Sequence, residues 1–137
     1  VRQVVNWLNL STPLGLLIGL LGRARFAAGP DGLILGRGYR LPIPPAPAFT
    51  VGNVVLLRID DAALARRPAL LVHEARHATQ YAWFIGPVML VPYGLAALWS
   101  LLLTGDPASR NAFERQAGLV DGGYVERPLR RWRRRGR

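Results

Sequence analysis

The sequence predicts a small mixed α+β domain in which strands precede the helices that carry the chemistry. Three observations lead there. A β-branched run, TVGNVVLLRID from Thr50 to Asp60, follows turn-rich segments. Long apolar stretches of helical composition come after it. The 137 residues are the size of one domain, long enough to bury a core and too short for two. Residues 1–126 are therefore expected to form a single domain, and residues 127–137, RPLRRWRRRGR, an arginine-rich disordered tail.

Taken in order, residues 4–21 suit a short amphipathic or buried helix, with Ser11 and Thr12 reading as a cap and Pro13 as the first helical residue. GPDG at 29–32 is turn chemistry, and the segments on either side of it suit a β-hairpin. The prolines of LPIPPAP at 41–47 exclude both helix and central strand. Thr50–Asp60 is the strongest strand. Asp60 and Asp61 cap a short turn, and Pro68 opens a helix expected from Ala69 to about Ile85, stopped by Gly86 and Pro87. An apolar helical segment, Val88 to Leu103, follows. A last helix is expected within DPASRNAFERQAGLVDGG, with Asp106 as its cap and Gly118 as its end.

Composition narrows the chemistry. No cysteine is present, so disulfides and thiolate metal sites are excluded, and any metal must be held by imidazole and carboxylate. All eighteen basic residues are arginine, against eight acidic ones, and the net charge of +10 favours phosphate, anionic lipid or acidic partners. Seven of those arginines lie in the last eleven residues, so tail and body need separate explanations.

Both histidines of the chain lie in LVHEARHATQ, residues 71–80. Four apart on a helix, His73 and His77 share a face and can each turn a ring nitrogen toward one ion. Glu74 is about 100° further round, badly placed to join the same shell but near enough to take a proton from water. Two ligands and a general base thus come from two turns of helix. Leu70, His73, Glu74, His77, Tyr81 and Phe84 are expected on one inward stripe, where a charged side chain is costly unless paired or metal-bound.

HEARHATQYAWFIGP resembles the active-site helix of the zincin superfamily, and its HExxHxxQ form, ending at Gln80, is similar to small bacterial zincin-like proteins of uncharacterised function. In the gluzincin branch a glutamate on a later helix completes the zinc site, and NAFERQA at 111–117 resembles that helix. The resemblance covers roughly residues 50–124. It implies Zn2+ held by His73, His77 and Glu114, with Glu74 activating water for hydrolysis of peptide or amide bonds in a peptide or protein substrate. The longer gluzincin consensus is missing, with Phe113 before Glu114 and Ala117 three residues after it. Other readings stay open. Glu114 also suits a surface partner for Arg110, Asp121 is a rival third ligand, Asp106 reads as a cap, and Glu126 is expected to pair with the tail arginines. Tyr93 and Tyr124 are candidate donors to an oxyanion.

The alternatives to a hydrolase are a catalytically silent zincin-like scaffold and a basic peripheral membrane or nucleic-acid-binding protein whose histidines only satisfy a core. No charged side chain occurs from Ala78 to Gly105, but the part beyond Pro87 is about 16 residues, or ~24 Å as a helix, short of a ~30 Å hydrocarbon core. A span between His77 and Glu114 would also part them across the bilayer. The expected placement is a buried or interfacial helix, and the tail with Trp132 favours an anionic membrane surface over nucleic acid. The run Leu14–Leu21 is short, broken by Gly15 and Gly19 and followed by arginines, which is unlike a secretory h-region; the expected location is cytoplasmic, with peripheral membrane association.

Overall fold

The computed structural model describes residues 1–130; residues 131–137, and with them most of the expected tail including Trp132, lie outside the described residues. The chain forms an α+β domain with helices α1 (Arg2–Leu8) and α2 (Ser11–Leu21), then strands β1 (Arg25–Ala28), β2 (Ile34–Arg37), β3 (Ala48–Val51) and β4 (Val54–Leu57). Helices α3 (Asp61–Ala65), α4 (Pro68–Trp83), α5 (Leu90–Thr104) and α6 (Ala112–Ala117) complete it. The sheet order is β1-β2-β4-β3, with the β2–β4 pair parallel and the other two antiparallel.

Period-2 alternation on β4 organises the layers. Val54 and Leu56 face α2 with Leu16 and Ile18, while Val55 and Leu57 face α4 with Leu70 and Ala78. All four β4 side chains are buried, as expected for a central strand covered on both faces. Gly15 and Gly19, four apart on α2, let that helix approach the sheet: a Cβ on Gly15 would stand 2.4 Å from the Val51 carbonyl oxygen. A third cluster, Val51, Tyr81, Met89 and Phe113, joins α4 to the segments after it.

Five sequence expectations change. The helix expected over 4–21 is two helices bent by 74°, because Leu10 takes a left-handed conformation and the Asn9 carboxamide accepts from the Ser11 N–H at 3.1 Å. Ser11 and Thr12 are not local caps: the Thr12 hydroxyl accepts from the Asn53 N–H at 3.1 Å. The single strand Thr50–Asp60 is a hairpin, with Val51 paired to Val54 across Gly52-Asn53. Gly52 has φ +64 and sits against the α2 backbone, so it turns the chain where no side chain fits.

The last helix is shorter than expected. Asp106 Oδ1 accepts from the Ala108 and Ser109 N–H groups, making a tight turn, and α6 starts only after Asn111, whose side chain accepts from the Phe113 N–H. The helix bearing the histidines ends two residues early, at Trp83, since Ile85 and Gly86 both take positive φ. A 3-10 turn, Gly86–Met89, then leads into α5. Beyond α6, Arg127 donates its N–H to the Ser109 hydroxyl at 2.9 Å, and Arg130 donates its own to the Leu103 carbonyl at 2.6 Å.

Candidate metal centre

Helix α4 lays its Leu70, His73, Glu74, His77 and Tyr81 stripe against β3 and α6, as its 3.6-residue period requires. Phe84, expected on that stripe, is past the last helical turn and half-exposed, with its ring edge-on to Phe113 at 5.2 Å. Asn111 caps α6, and the resulting orientation turns Glu114 inward. Arg110, its possible surface partner, instead reaches Glu126 at 3.5 Å.

His73, His77 and Glu114 therefore converge. Their facing atoms, His73 Nε2, His77 Nε2 and Glu114 Oε2, are separated by 3.1, 3.2 and 3.4 Å. The groups behind them decide which atoms carry protons. His73 Nδ1 lies 2.9 Å from the Gly118 carbonyl, which can only accept, so that nitrogen is the donor. For His77 the chain of reasoning runs through Gln80. The Gln80 amide nitrogen must face the Phe113 carbonyl at 2.9 Å, so its oxygen faces His77 Nδ1 at 2.8 Å and accepts from it. Neutral rings held in this way present bare lone pairs at both Nε2 atoms.

Glu114 is fixed from its other end, where the Tyr93 hydroxyl donates to Oε1. Its Oε2 is buried and has no hydrogen-bond partner. With neutral rings three lone-pair atoms thus point at one small space, which is repulsive unless a proton or a metal ion lies between them. A tetrahedral ion with bonds of about 2.0–2.2 Å spaces its ligand atoms about 3.3–3.6 Å apart, close to the separations found. The residues present fit a metal ion, and among the described residues His73, His77 and Glu114 are the group that could hold one.

Glu74 faces the same interior from the next position on α4. Thr50 on β3 donates its hydroxyl to Glu74 Oε2 at 2.6 Å. Burial raises the Glu74 pKa above its ordinary carboxylate value, more than the neighbouring histidines and Thr50 lower it. Burial also opposes protonation of His77, but the Glu114 and Glu74 carboxylates and Gln80 outweigh it and raise that pKa. Glu114 goes the other way: burial would raise it, yet the two imidazoles and the Tyr93 hydroxyl hold it well below the usual range.

The centre is closed. His73, Glu74, His77 and Glu114 are 2%, 3%, 7% and 2% exposed. Gly122 lies directly on His73, where a Cβ would stand 2.7 Å from Nε2, and the Tyr124 ring is 6.1 Å from the His73 ring. A surface groove of about 590 Å³ lies between Arg76, Trp83 and Gln116 and reaches Gln80, one side chain short of His77.

The other sequence candidates are accounted for. Asp121 is bound to Arg76 at 2.8 Å and stays at the surface, outside the ligand set. Asp106 makes its turn, and Glu126 pairs with Arg115 at 3.0 Å and Arg110 at 3.5 Å, while the tail arginines beyond Arg130 lie outside the described residues. Tyr93 donates its hydroxyl proton to Glu114 and so orients that carboxylate. Thr50, the Gly118 carbonyl and Gly122 were not singled out by the sequence. Gln80 stands out there only as the end of the HExxHxxQ resemblance; lying three beyond His77 on a helix, it reaches that ring. No family model matches this chain, and neither a curated protein nor a solved structure matches it.

Proposed function

We propose that the chain is a zinc protein of gluzincin type whose centre hydrolyses peptide or amide bonds. The observation that carries this reading is the convergence of three lone-pair atoms from α4 and α6 beside a buried carboxylate of raised pKa. Zinc held by His73, His77 and Glu114 supplies Lewis acidity, acidifying water and polarising a carbonyl. The chain's own groups do the rest. Glu74, more basic than an ordinary carboxylate, accepts a proton from water and returns it to the leaving amine. Thr50 aims that carboxylate, while Gly118 and Gln80 keep both histidines in the tautomer that leaves Nε2 free. A substrate reaches these groups only when the segment 118–124 shifts, and Gly118 and Gly123, both at positive φ, are its natural pivots.

Closure of the centre favours a second reading, a metal-binding scaffold without turnover. Elemental analysis with one variant separates the two. The purified protein is expected to carry about one equivalent of zinc; background zinc defeats both readings and leaves a histidine-satisfied core. Glu74→Gln is expected to keep the zinc and to slow cleavage of an unstructured protein substrate by roughly 10²–10⁴-fold. Equal turnover in that variant removes Glu74 as base, and zinc without turnover in the unaltered protein leaves the scaffold.

A further inference from the structure

We propose that the face formed by α5 and the α1–α2 elbow seats on an anionic lipid bilayer, with α5 lying in the plane of the interface. Helix α5 carries the first observation. Its inner stripe, Met89, Tyr93, Ala96 and Ser100, packs on the body. The opposite stripe of a helix on a water-facing surface is polar; here it is Val91, Leu95, Leu98 and Leu102, all exposed. The segment Gly86–Thr104 has a mean hydropathy of 1.6, yet only 17% of it is buried. An uncovered patch of this kind marks an interaction surface.

Tryptophan supplies the second. Trp7, Trp83 and Trp99 are 48%, 80% and 60% exposed, although this residue is ordinarily the most valuable to bury and is enriched where a bilayer meets water. The patch is continuous around the elbow. Gly86 abuts Asn9 so closely that a Cβ would stand 2.6 Å from its carbonyl oxygen, bringing exposed Leu8 and Leu10 to the same end as exposed Ile85.

Charge selects the occupant. No charged side chain occurs from Gln3 to Gly22 or from Ala78 to Gly105, while Arg23 and Arg25 follow the first stretch. Arg130 is held against the C-terminal end of α5 by its bond to Leu103. An apolar face bordered by arginine on a chain of net charge +10 matches acyl chains bordered by anionic headgroups. A second copy of the chain would bring like charges together around the same border. Glu114, ten residues after α5, lies 3.4 Å from His77, before it, so the segments flanking α5 return to one body, which fits α5 lying along the interface.

The test floats the full chain with phosphatidylcholine vesicles containing roughly 30% phosphatidylserine and with phosphatidylcholine alone. Binding is expected on the anionic vesicles, with tryptophan emission quenched by brominated acyl chains. Leu95→Glu and Trp99→Glu are each expected to weaken it by about tenfold or more, with an unchanged far-ultraviolet spectrum and thermal midpoint. No flotation of the unaltered chain overturns the proposal. So do variants that float as well as it does, which would assign binding to the basic tail. A vesicle-free dimer that Trp99→Glu dissociates, without flotation, puts a second copy on the face instead.

Discussion

Each ligand of the centre is held by a residue whose part depends on distant chain, and those holders are where the site is most open to test. Gln80→Leu removes both the acceptor that fixes His77 and the donor to the Phe113 carbonyl; zinc affinity is expected to fall by about 10–100-fold, read by competition with a chromophoric chelator. Tyr93→Phe, which frees Glu114 Oε1, is expected to fall in the same range, and unchanged affinity in both would strip the holders of that role. Protonation gives a second test. In metal-free protein Glu74 and His77 both have raised pKa values, from ordinary values of 4.5 and 6.5. Folded protein therefore binds these protons more tightly than unfolded protein does. Their stabilisation is complete below the ordinary values and is lost as pH rises through the folded ones. Glu114, lowered, acts oppositely but only below about 4.5. Metal-free protein is thus expected to lose thermal stability as pH rises above about 6.5, while zinc, which displaces the His77 proton, binds more tightly over the same rise. A metal-free midpoint that climbs there contradicts the coupling. At this scale the sequence shows His73, Glu74 and His77 because one helix turn relates them. Thr50 and Gly118 stay invisible because they are 24 and 45 residues from the groups they serve.

Elements explain where sequence and structure part. The run from Thr50 to Asp60 reads as one strand because its apolar residues are nearly continuous, and the Gly-Asn pair inside it is a short signal beside that run. What decides the split is tertiary. Asn53 is 1% exposed, and its side chain accepts from Asn6 at 2.9 Å and donates to the Gln3 carbonyl at 3.0 Å. Both partners lie in α1, so no local pattern reports them. The turn accordingly ties α1, α2 and the sheet together, and Gly52→Ala is expected to be costly: a Cβ there meets the Thr12 nitrogen at 2.4 Å, with a positive φ besides. A loss of about 2–3 kcal/mol by denaturant titration is expected, and a loss under about 0.5 kcal/mol would mean the turn readily shifts. Helix α6 shows the converse. Its glutamate was legible from a resemblance to NAFERQA, while its extent was not, because Asp106 and Asn111 are equally good caps in sequence and only the Ser100 and Thr104 hydroxyls, bonded to the Asp106 carbonyl, make the first a turn.

For the molecule as a whole, the order of helices and strands was readable because the continuous apolar run of β4 and the helical spacing on α4 are local patterns. Their assembly around one buried charged cluster was not. That cluster sets the energetics. Four ionisable side chains lie in the interior, and without a cation the carboxylates and imidazoles bear a desolvation cost that their mutual contacts only partly offset. Helix α6 is six residues long, too short to hold itself, and its packing on α4 runs through Gln80, Phe113 and Glu114. A metal bridging α4 to α6 therefore acts on the fold as well as on any chemistry. At a free zinc concentration about 100 times the dissociation constant, binding adds about 2.7 kcal/mol, or a rise of roughly 10 °C in thermal midpoint for a domain of this size. Glu114→Ala is expected to lose most of that increment, and Asp121→Ala, which removes only a surface partner of Arg76, to keep it. Differential scanning calorimetry with and without a chelator reads all three. A midpoint that zinc leaves unmoved would mean the cluster is satisfied by protons alone, and an increment lost in Asp121→Ala but kept in Glu114→Ala would transfer the third ligand to the loop beyond α6.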